Sequence, residues 1–403
     1  MKNAFRKALA ASLALALVSA SAAGCGKKEA AGDDEIKFGI IYAHSGSAEM
    51  IESVSEKAAL LAVEEINAAG GVGGKKLVAI TEDWESDESK ATEKAKKLYL
   101  QDEVPFILGT CLGTGTQAVR TVAEQNGKLF FAPTAGSGED ESPNTIYTGG
   151  TTYTFTKELI PYMTEKFGPN VFCVGSDYYY PVRIAEQTKA LVELGGGNLV
   201  GSEFLPMEAT DCSTVIAKIK QQAPDFIYAN VVGSTTAAFY QQAKEYGLDI
   251  PIASVITSEM DAVTMGGEYS EGTYATFNWF ASSDNPLSVK FLENFEKKYG
   301  REDMLRVNAT ITAAYSSVYL IAEALKKAGS YDVDSLKAAL AGTSVDTPQG
   351  KFSVDPENGY YAENYAMIVM WGADARPVTV YESDGQLPAE PWPDILFPNG
   401  KPS

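Results

Sequence analysis

Histidine is almost absent from this sequence: among 403 residues only His44 is present. A Ser-His-Asp or Cys-His catalytic arrangement would have to use that residue, and the following Ser45-Gly46-Ser47 carries no nucleophile-elbow signature. Imidazole zinc sites need several His or Cys ligands at set spacings, which the sequence lacks. We therefore interpret His44 as a loop residue at the rim of a cleft. We predict no catalytic residue, no metal site and no cofactor.

Cysteine is also scarce, with four residues in the whole chain. Apart from Cys25 near the N-terminus, the cysteines are Cys111, Cys173 and Cys212, an odd number at irregular spacings. Two of these three lie in apolar, strand-like runs. This pattern indicates buried free thiols rather than a disulfide framework or a metal site.

Basic residues are few, with 33 Lys and Arg against 53 Asp and Glu. Removal of an N-terminal signal would take away Lys2, Arg6 and Lys7, leaving 30 basic against 53 acidic residues and a net charge of −23. This balance argues against a nucleic-acid partner, because binding to phosphates needs clustered Lys and Arg, and we predict none. The glycine-containing stretch 109–115 also lacks the Lys-Ser or Lys-Thr of a P-loop.

The first 24 residues depart from the composition of a soluble globular protein. A basic start is followed by an apolar run over residues 8–18 and then by small residues. This order is typical of a secretory signal peptide, and the run is too short to span a bilayer as a mature helix. We predict that residues 1–24 are a signal peptide and form no part of the fold.

The end of that signal, Ser21-Ala22-Ala23-Gly24-Cys25, resembles the lipobox of bacterial lipoproteins, although Ala22 stands where Leu is more common. The resemblance implies cleavage before Cys25 and attachment of a lipid to it. An ordinary signal peptide with an unrelated Cys is the alternative. Residues 25–35 are polar and contain glycine, which predicts a flexible tether between the membrane surface and a folded body.

Strand-like and helical segments alternate along the chain in two successive series. The first series has apolar strand-like runs at 36–42, 76–82, 105–109 and 129–132, separated by helical patterns. The second has strands at 171–174, 198–205, 225–230 and 251–255, with helices at 184–194, 213–222 and 235–246. A long helix over 306–328 and a β-rich tail over 347–381 follow. This alternation predicts an α/β protein with two doubly wound parallel-sheet lobes.

Two lobes built from such series must be joined where the chain passes from one to the other. We predict crossings near Gly149-Gly150, over 277–281 and over 347–352, which together form a three-strand hinge. Lobe 1 would comprise 36–149 and 280–347, and lobe 2 would comprise 150–279 and 348–403. A ligand that bridges the lobes contacts both of them only in the closed form, and therefore selects it.

Three consecutive tyrosines follow the predicted strand at 171–174, in the stretch Gly175-Ser176-Asp177-Tyr178-Tyr179-Tyr180-Pro181-Val182-Arg183. A turn from strand to helix lies at the carboxyl end of the sheet, where open α/β sheets bind ligands. Strand-like alternation predicts that Tyr178 and Tyr180 face a solute while Tyr179 packs inward. The alternative is that these rings simply pack beneath the helix.

The stretch Glu64-Glu65-Ile66-Asn67-Ala68-Ala69-Gly70-Gly71-Val72-Gly73-Gly74, which follows the first strand, resembles type I substrate-binding proteins of ABC transporters. Three further stretches resemble the branch of that family that binds urea and short-chain amides: Glu141-Ser142-Pro143-Asn144 with Tyr147-Thr148-Gly149, the tyrosine stretch, and Asp355-Pro356-Glu357-Asn358. The similarity covers most of residues 36–375.

The resemblance implies which residues line the cleft. In lobe 1 they are those of the loop over 110–115 and of the loop after the fourth strand: Leu112, Gly113, Thr114 and Thr134. In lobe 2 they are the outer tyrosines, the loop Val232-Gly233-Ser234 and one acid: Tyr178, Tyr180, Val232, Ser234 and Glu259. The first loop departs from the urea-type pattern Cys-Trp-Thr-Ser, because it reads Thr110-Cys111-Leu112-Gly113 here.

Three functions fit this pattern. The first is a lipid-anchored receptor on the extracytoplasmic face that delivers urea, a short amide or a similar small polar solute to ABC permease subunits. The second is a receptor for branched-chain or other amino acids, in which hydroxyl and backbone N–H groups hold the carboxylate and Glu259 holds the ammonium group. The third is a sensor that passes ligand-induced closure to a signalling partner. The lipoprotein signal favours transport.

Overall fold

The computed structural model describes residues 34–136, 138–139, 141–255 and 257–399. The predicted signal peptide, the predicted lipidation site Cys25 and the tether up to residue 33 lie outside the described residues. Within the described ranges, no helix is both long enough and apolar enough to cross a membrane.

The first lobe is built on a five-stranded parallel sheet of strand order β2-β1-β3-β4-β5. Its elements run in chain order: β1 (Glu35–Tyr42), α1 (Glu49–Ala68), β2 (Lys76–Asp83), α2 (Glu88–Leu100), β3 (Phe106–Gly109), α3 (Gly113–Gln125), β4 (Leu129–Ala132) and β5 (Thr145–Tyr147). Strands β3 and β4 are buried at every residue, because helices cover both faces of the sheet. Phe38 and Phe131 belong to the core on one face, and Ile107 and Phe130 belong to the core on the other.

The second lobe contains a seven-stranded sheet of order β15-β14-β10-β9-β8-β6-β7. Its first part comprises α4 (Thr152–Phe167), β6 (Asn170–Ser176), α5 (Tyr179–Leu194), β7 (Asn198–Leu205), α6 (Ser213–Gln222), β8 (Phe226–Asn230), α7 (Ser234–Glu245), β9 (Ile252–Ser254), α8 (Glu259–Met265), α9 (Gly267–Ser270) and β10 (Tyr274–Phe277). Strands β6 to β10 pair in parallel. Helices α4 and α5 cover one face of this sheet, and α6 and α7 cover the other. The predicted class, two doubly wound α/β lobes, is confirmed.

The chain then returns to the first lobe before it completes the second. The returning elements are α10 (Pro286–Tyr299), α11 (Arg301–Met304), α12 (Ala309–Ala328), α13 (Val333–Leu340), β11 (Ser344–Thr347), β12 (Gly350–Val354) and β13 (Ala362–Glu363). Strands β11 to β13 form a three-stranded antiparallel sheet near the hinge. Strands β14 (Met367–Trp371) and β15 (Pro377–Glu382) add antiparallel to the edge of the second sheet.

Packing of β12 moves the third crossing away from its predicted place. Phe352 and Val354 belong to the first-lobe core that also contains α1 and α12, whereas Ala366 belongs to the second-lobe core. The predicted boundary at 347/348 is therefore wrong, and the chain changes lobe at 363–366. The tail does not stay in the second lobe either, because Ala389 packs in the first-lobe core.

Two predicted helices begin at different residues in the structure. The helix predicted over 184–194 begins at Tyr179, since Pro181 lies in its first turn, where proline is tolerated. The helix predicted over 306–328 begins at Ala309, because Asn308 caps it by accepting the N–H groups of Thr310 and Ile311.

Candidate ligand-binding cleft

A cavity of about 470 Å³ lies between the two lobes, formed by loops that follow the carboxyl ends of the parallel strands. The structure brings seven of the predicted site residues to its wall: Leu112, Gly113, Thr134, Tyr178, Tyr180, Val232 and Glu259. The other two, Thr114 and Ser234, are exposed and do not line it. Thr116 and Thr236, two residues further along the same helices, line the cavity instead, because the helical turn carries them to its inner face.

The first-lobe wall is the loop that joins β3 to α3. Thr110 is fully buried, has a left-handed backbone conformation with φ of 52°, and its hydroxyl lies 2.9 Å from that of Thr116. This conformation is unfavourable for a β-branched residue. Leu112 then serves as the N-cap residue of α3 but supplies no capping side chain.

The carboxylate of Glu52, on α1, forms hydrogen bonds with the backbone of this loop. Its Oε1 accepts the backbone N–H groups of Cys111 at 2.5 Å and Leu112 at 3.2 Å. Its Oε2 accepts the N–H of Ala43 at 2.7 Å and the indole N–H of Trp84 at 2.5 Å. Burial raises the pKa of Glu52 above its ordinary value, and the N–H donors oppose that rise.

The second-lobe wall begins with the tyrosines at the start of α5. The rings of Tyr178 and Tyr180 are stacked, with centroids 6.4 Å apart, and the Tyr180 hydroxyl lies 2.8 Å from that of Thr152. Burial raises the pKa of Tyr178 to about 12, so its hydroxyl is a neutral donor and acceptor at physiological pH. The prediction that Tyr179 packs inward is wrong: its side chain is 63% exposed, and its hydroxyl donates to Glu139 at 2.7 Å. Helical rather than strand-like geometry at this point explains the difference.

The acid predicted in the second lobe, Glu259, begins α8 and is buried against the cavity. Its Oε1 accepts the N–H of Ala281, in the second crossing segment, at 2.6 Å. Burial raises the pKa of Glu259 to about 7. Asp261 also lines the cavity, but its carboxylate already accepts the N–H and the hydroxyl of Ser258 in a capping box.

In the described part of the chain, basic side chains do not reach the cavity. Among the described residues, its wall contains Glu259 and Asp261 and no Lys, Arg or His. His44 lies elsewhere, 2.7 Å from a carboxylate oxygen of Glu56. A site with buried negative charge and neutral hydroxyl groups suits a ligand that carries a positive charge.

Several wall residues were missed by the sequence analysis. Phe277, Trp279 and Phe280 come from the second crossing segment, which places them between the lobes. Trp279 is fully buried and its indole N–H donates to Ser288 at 2.9 Å. The sequence signal that could have identified them is the presence of large aromatic residues in a segment predicted to cross between the lobes. Asn308 and Thr310, at the start of α12, gave no such signal.

The cysteines take no part in metal or disulfide chemistry in the described part of the chain. Cys173 and Cys212 are buried free thiols, while Cys111 is a half-buried free thiol in the cavity wall. Burial raises the pKa of the Cys111 thiol well above its ordinary value, which makes it a poor nucleophile. The described residues contain no group of three or more His, Cys, Asp or Glu that could hold a metal ion.

Residues 36–397 match a family model described as the periplasmic binding protein domain. The chain belongs to the periplasmic binding protein family. Its two α/β lobes and interlobe cleft are those of the type I, Leu/Ile/Val-binding-like class. This periplasmic binding protein is a solute-binding protein, and it is not an enzyme.

Relatives and solved structures agree with this assignment over most of the chain. The Leu/Ile/Val-binding protein homolog 7 of Brucella suis is 28% identical over 86% of this chain and 91% of its own length. The leucine-, isoleucine-, valine-, threonine- and alanine-binding protein of Pseudomonas aeruginosa is 28% identical over 86% of this chain and 92% of its own length.

Two solved structures at 22% identity share the fold. One is the solute-binding protein of an ABC transporter from R. palustris in complex with 4-hydroxybenzoate, with a TM-score of 0.78 over 88% of this chain and 98% of that chain. The other is the branched-chain amino acid transporter substrate-binding protein from Streptococcus pneumoniae in complex with isoleucine. Its TM-score is 0.75 over 88% of this chain and 100% of that chain.

Proposed function

We propose that this periplasmic binding protein captures a zwitterionic amino acid with an aliphatic side chain and delivers it to an ABC importer. The observation that carries the proposal is Glu259, a buried carboxylate on the cavity wall with no cationic partner among the described residues. A ligand ammonium group would supply the missing positive charge. A buried, unpaired carboxylate is otherwise costly.

The size of the cavity supports an amino acid over a very small solute. A water molecule occupies about 30 Å³ of the liquid, and urea has only four non-hydrogen atoms. A cavity of about 470 Å³ would therefore be mostly empty around urea. Its apolar wall, which includes Leu112, Val232 and Trp279, offers contact to an aliphatic side chain.

The ligand carboxylate would be held by neutral donors. Thr134 and the Tyr178 hydroxyl line the cavity, and so does Gly113, whose backbone N–H lies in the first turn of α3. The N–H groups in the first turn of a helix have no partner within the helix and carry partial positive charge. The proposal thus assigns the carboxylate to first-lobe donors together with Tyr178, and the ammonium to Glu259 of the second lobe. The ligand then contacts both lobes, so that binding favours closure.

The names of the relatives support the same ligand class. The Pseudomonas aeruginosa protein is named for binding five aliphatic or small hydroxylated amino acids, and the Streptococcus pneumoniae structure contains isoleucine. The R. palustris structure contains a benzoate, an anion without an ammonium group. Two carboxylates and no basic side chain in the cavity described here argue against an anion of that kind.

Urea or a short amide is the second candidate. The stacked pair Tyr178 and Tyr180 favours it, since two flat rings 6.4 Å apart with polar tips can contact a small planar solute. This candidate keeps the same role in transport. A lipid anchor at Cys25, which would keep the protein on the extracytoplasmic membrane surface, remains part of the proposal, and a signalling partner remains the alternative to a permease.

The test is calorimetric titration of ligand-free protein with leucine, isoleucine, valine, threonine, alanine, urea, formamide, acetamide and 4-hydroxybenzoate. We expect at least one aliphatic amino acid to bind at micromolar concentration or below. At a hundred times its dissociation constant it should stabilise the fold by about 2.7 kcal/mol. If urea or an amide binds and no amino acid does, the second candidate is established instead. Binding of 4-hydroxybenzoate alone would overturn both.

A further inference from the structure

Glu52 is a fully buried carboxylate whose two oxygens are both occupied. Each oxygen accepts two N–H groups, at distances of 2.5 to 3.2 Å. A protonated carboxyl group would have to donate a hydrogen from one of these oxygens, and all four bonded neighbours are themselves donors. The geometry therefore fits the carboxylate anion. None of the ion pairs found among the described residues involves Glu52.

The four donors lie in segments that are far apart in the sequence. Ala43 follows β1, Trp84 follows β2, and Cys111 and Leu112 follow β3. One carboxylate from α1 thus ties together the carboxyl ends of three neighbouring strands. Of these segments, the loop after β3 lines the first-lobe half of the cleft through Cys111 and Leu112.

The loop after β3 needs an external anchor. Thr110 has an unfavourable positive φ, and Leu112 begins α3 without a capping side chain of its own. Such strain persists only where the surroundings fix it. Glu52 accepts the N–H of Leu112 at the N-cap position and the N–H of the preceding Cys111. It therefore accepts the N-cap N–H of α3, as the acidic side chain of a capping box does elsewhere.

We propose that Glu52 is a positioning residue that fixes the conformation of the binding loop before the ligand binds. Because Glu52 accepts the N–H groups of Cys111 and Leu112, these groups are not available to the ligand. This inference rests on the proposed function, because it takes the loop as part of the ligand site. A loop fixed in advance does not have to be ordered when the ligand binds, which preserves affinity. The negative charge behind the loop also disfavours a ligand that is only an anion.

Hydrogen exchange of the ligand-free wild-type protein tests the anchor without any assumption about the ligand. The amides of Cys111 and Leu112 should be protected, because a buried carboxylate accepts them. The amides of Gly113 and Thr114, which have no acceptor among the described residues, should exchange faster. Equal, fast exchange at all four amides, measured at single-residue resolution, would overturn the proposal whichever solute binds.

The variant Glu52→Gln tests the consequence for binding. A Gln side chain accepts through one oxygen only, so two of the four N–H groups lose their acceptor. We expect the dissociation constant for the bound amino acid to rise about tenfold or more. The matched control is Glu56→Gln, one helical turn later on α1, where the carboxylate contacts His44 and not the loop. That variant should bind as the wild type does.

A purely structural role for Glu52 predicts a different pattern. In that case Glu52→Gln would lower the melting temperature and would weaken the binding of leucine and of 4-hydroxybenzoate by the same factor. A positioning role that includes the charge predicts that Glu52→Gln shifts the ratio of the two dissociation constants towards 4-hydroxybenzoate. The proposal is wrong if Glu52→Gln leaves both the ratio of the two dissociation constants and the affinity for leucine unchanged. If Glu52→Gln does not fold, the exchange experiment on the wild type decides.

Discussion

A methyl group on the Cα of Gly150 would lie 2.2 Å from the side-chain nitrogen of Asn364. These residues belong to the first and third segments that join the lobes. The amide nitrogen of Asn278, in the second segment, donates to Oδ1 of Asn364 at 2.5 Å. All three segments therefore meet at the Asn364 amide, and Gly150 is the residue that makes room for it.

Gly150→Ala should consequently disturb the hinge. The added methyl group must displace Asn364 and with it the bond to Asn278, so we expect a lower melting temperature and weaker ligand binding. Gly127→Ala is the control, because Gly127 also has a positive φ, of 59°, but has open space around its Cα. Backbone strain of about 1–2 kcal/mol is common to both variants, and the excess loss in Gly150→Ala measures the hinge contact. Equal losses of stability and affinity in the two variants would mean that the contact does not matter.

Glu259→Gln should weaken amino-acid binding and stabilise the empty protein. Loss of the charged partner of the ammonium group should raise the dissociation constant about tenfold or more. The substitution also removes a buried charge, so the melting temperature of the ligand-free protein at pH 8 should increase, with little change at pH 5 where Glu259 is protonated. Glu245→Gln, at an exposed position on α7, is the control for both measurements. Unchanged affinity would remove Glu259 from the ligand site.

Binding should depend on pH in a predictable direction. Burial raises the pKa of Glu259 to about 7, so the fraction of the carboxylate form falls as the pH drops below that value. An ammonium group binds that form, and the dissociation constant should therefore rise by up to tenfold per pH unit below 7 and level off above it. Urea would show no such dependence on the protonation of Glu259. Titration calorimetry between pH 5 and pH 8, repeated on Glu259→Gln, separates the two ligand classes.

Tyr178→Ala should weaken ligand binding and leave the fold intact. The Tyr178 ring lines the cavity and is 37% exposed, so its removal costs little buried area. We expect a melting temperature close to that of Tyr246→Ala, a control at an exposed tyrosine outside the cavity. A large loss of melting temperature at unchanged affinity would instead assign Tyr178 to the core of the second lobe.

Cys25→Ser should release the protein from the membrane fraction. The prediction depends on the lipobox-like segment that ends at Cys25, because a lipid on that residue would be the anchor. Fractionation of cells that express the two forms is the measurement. Mass spectrometry that finds the mature N-terminus of the wild type at another residue would contradict it.

The order of strands and helices could be predicted from the sequence because each depends on local patterns. The continuous apolar run at 171–174 predicted the buried strand β6, and the helical spacing over 306–328 predicted most of α12. The scarcity of histidine excluded the common histidine-dependent catalytic arrangements, because this conclusion needs only the composition. The loops that line the cleft could also be predicted, since the carboxyl ends of parallel strands lie at one edge of a sheet.

Only the tertiary structure decided which side chains of those loops and helices face the cleft. Tyr179 is exposed and borders the cavity instead of packing inward, because α5 begins five residues earlier than its apolar spacing shows. Thr116 replaces Thr114 because of the turn of α3. The role of Glu52 depends on contact with Cys111, 59 residues away in the sequence. Hydrophobic periodicity relates a residue to neighbours three or four positions away, so it places Glu52 on a helix face. The packing of that face against three strand ends fixes what the carboxylate binds.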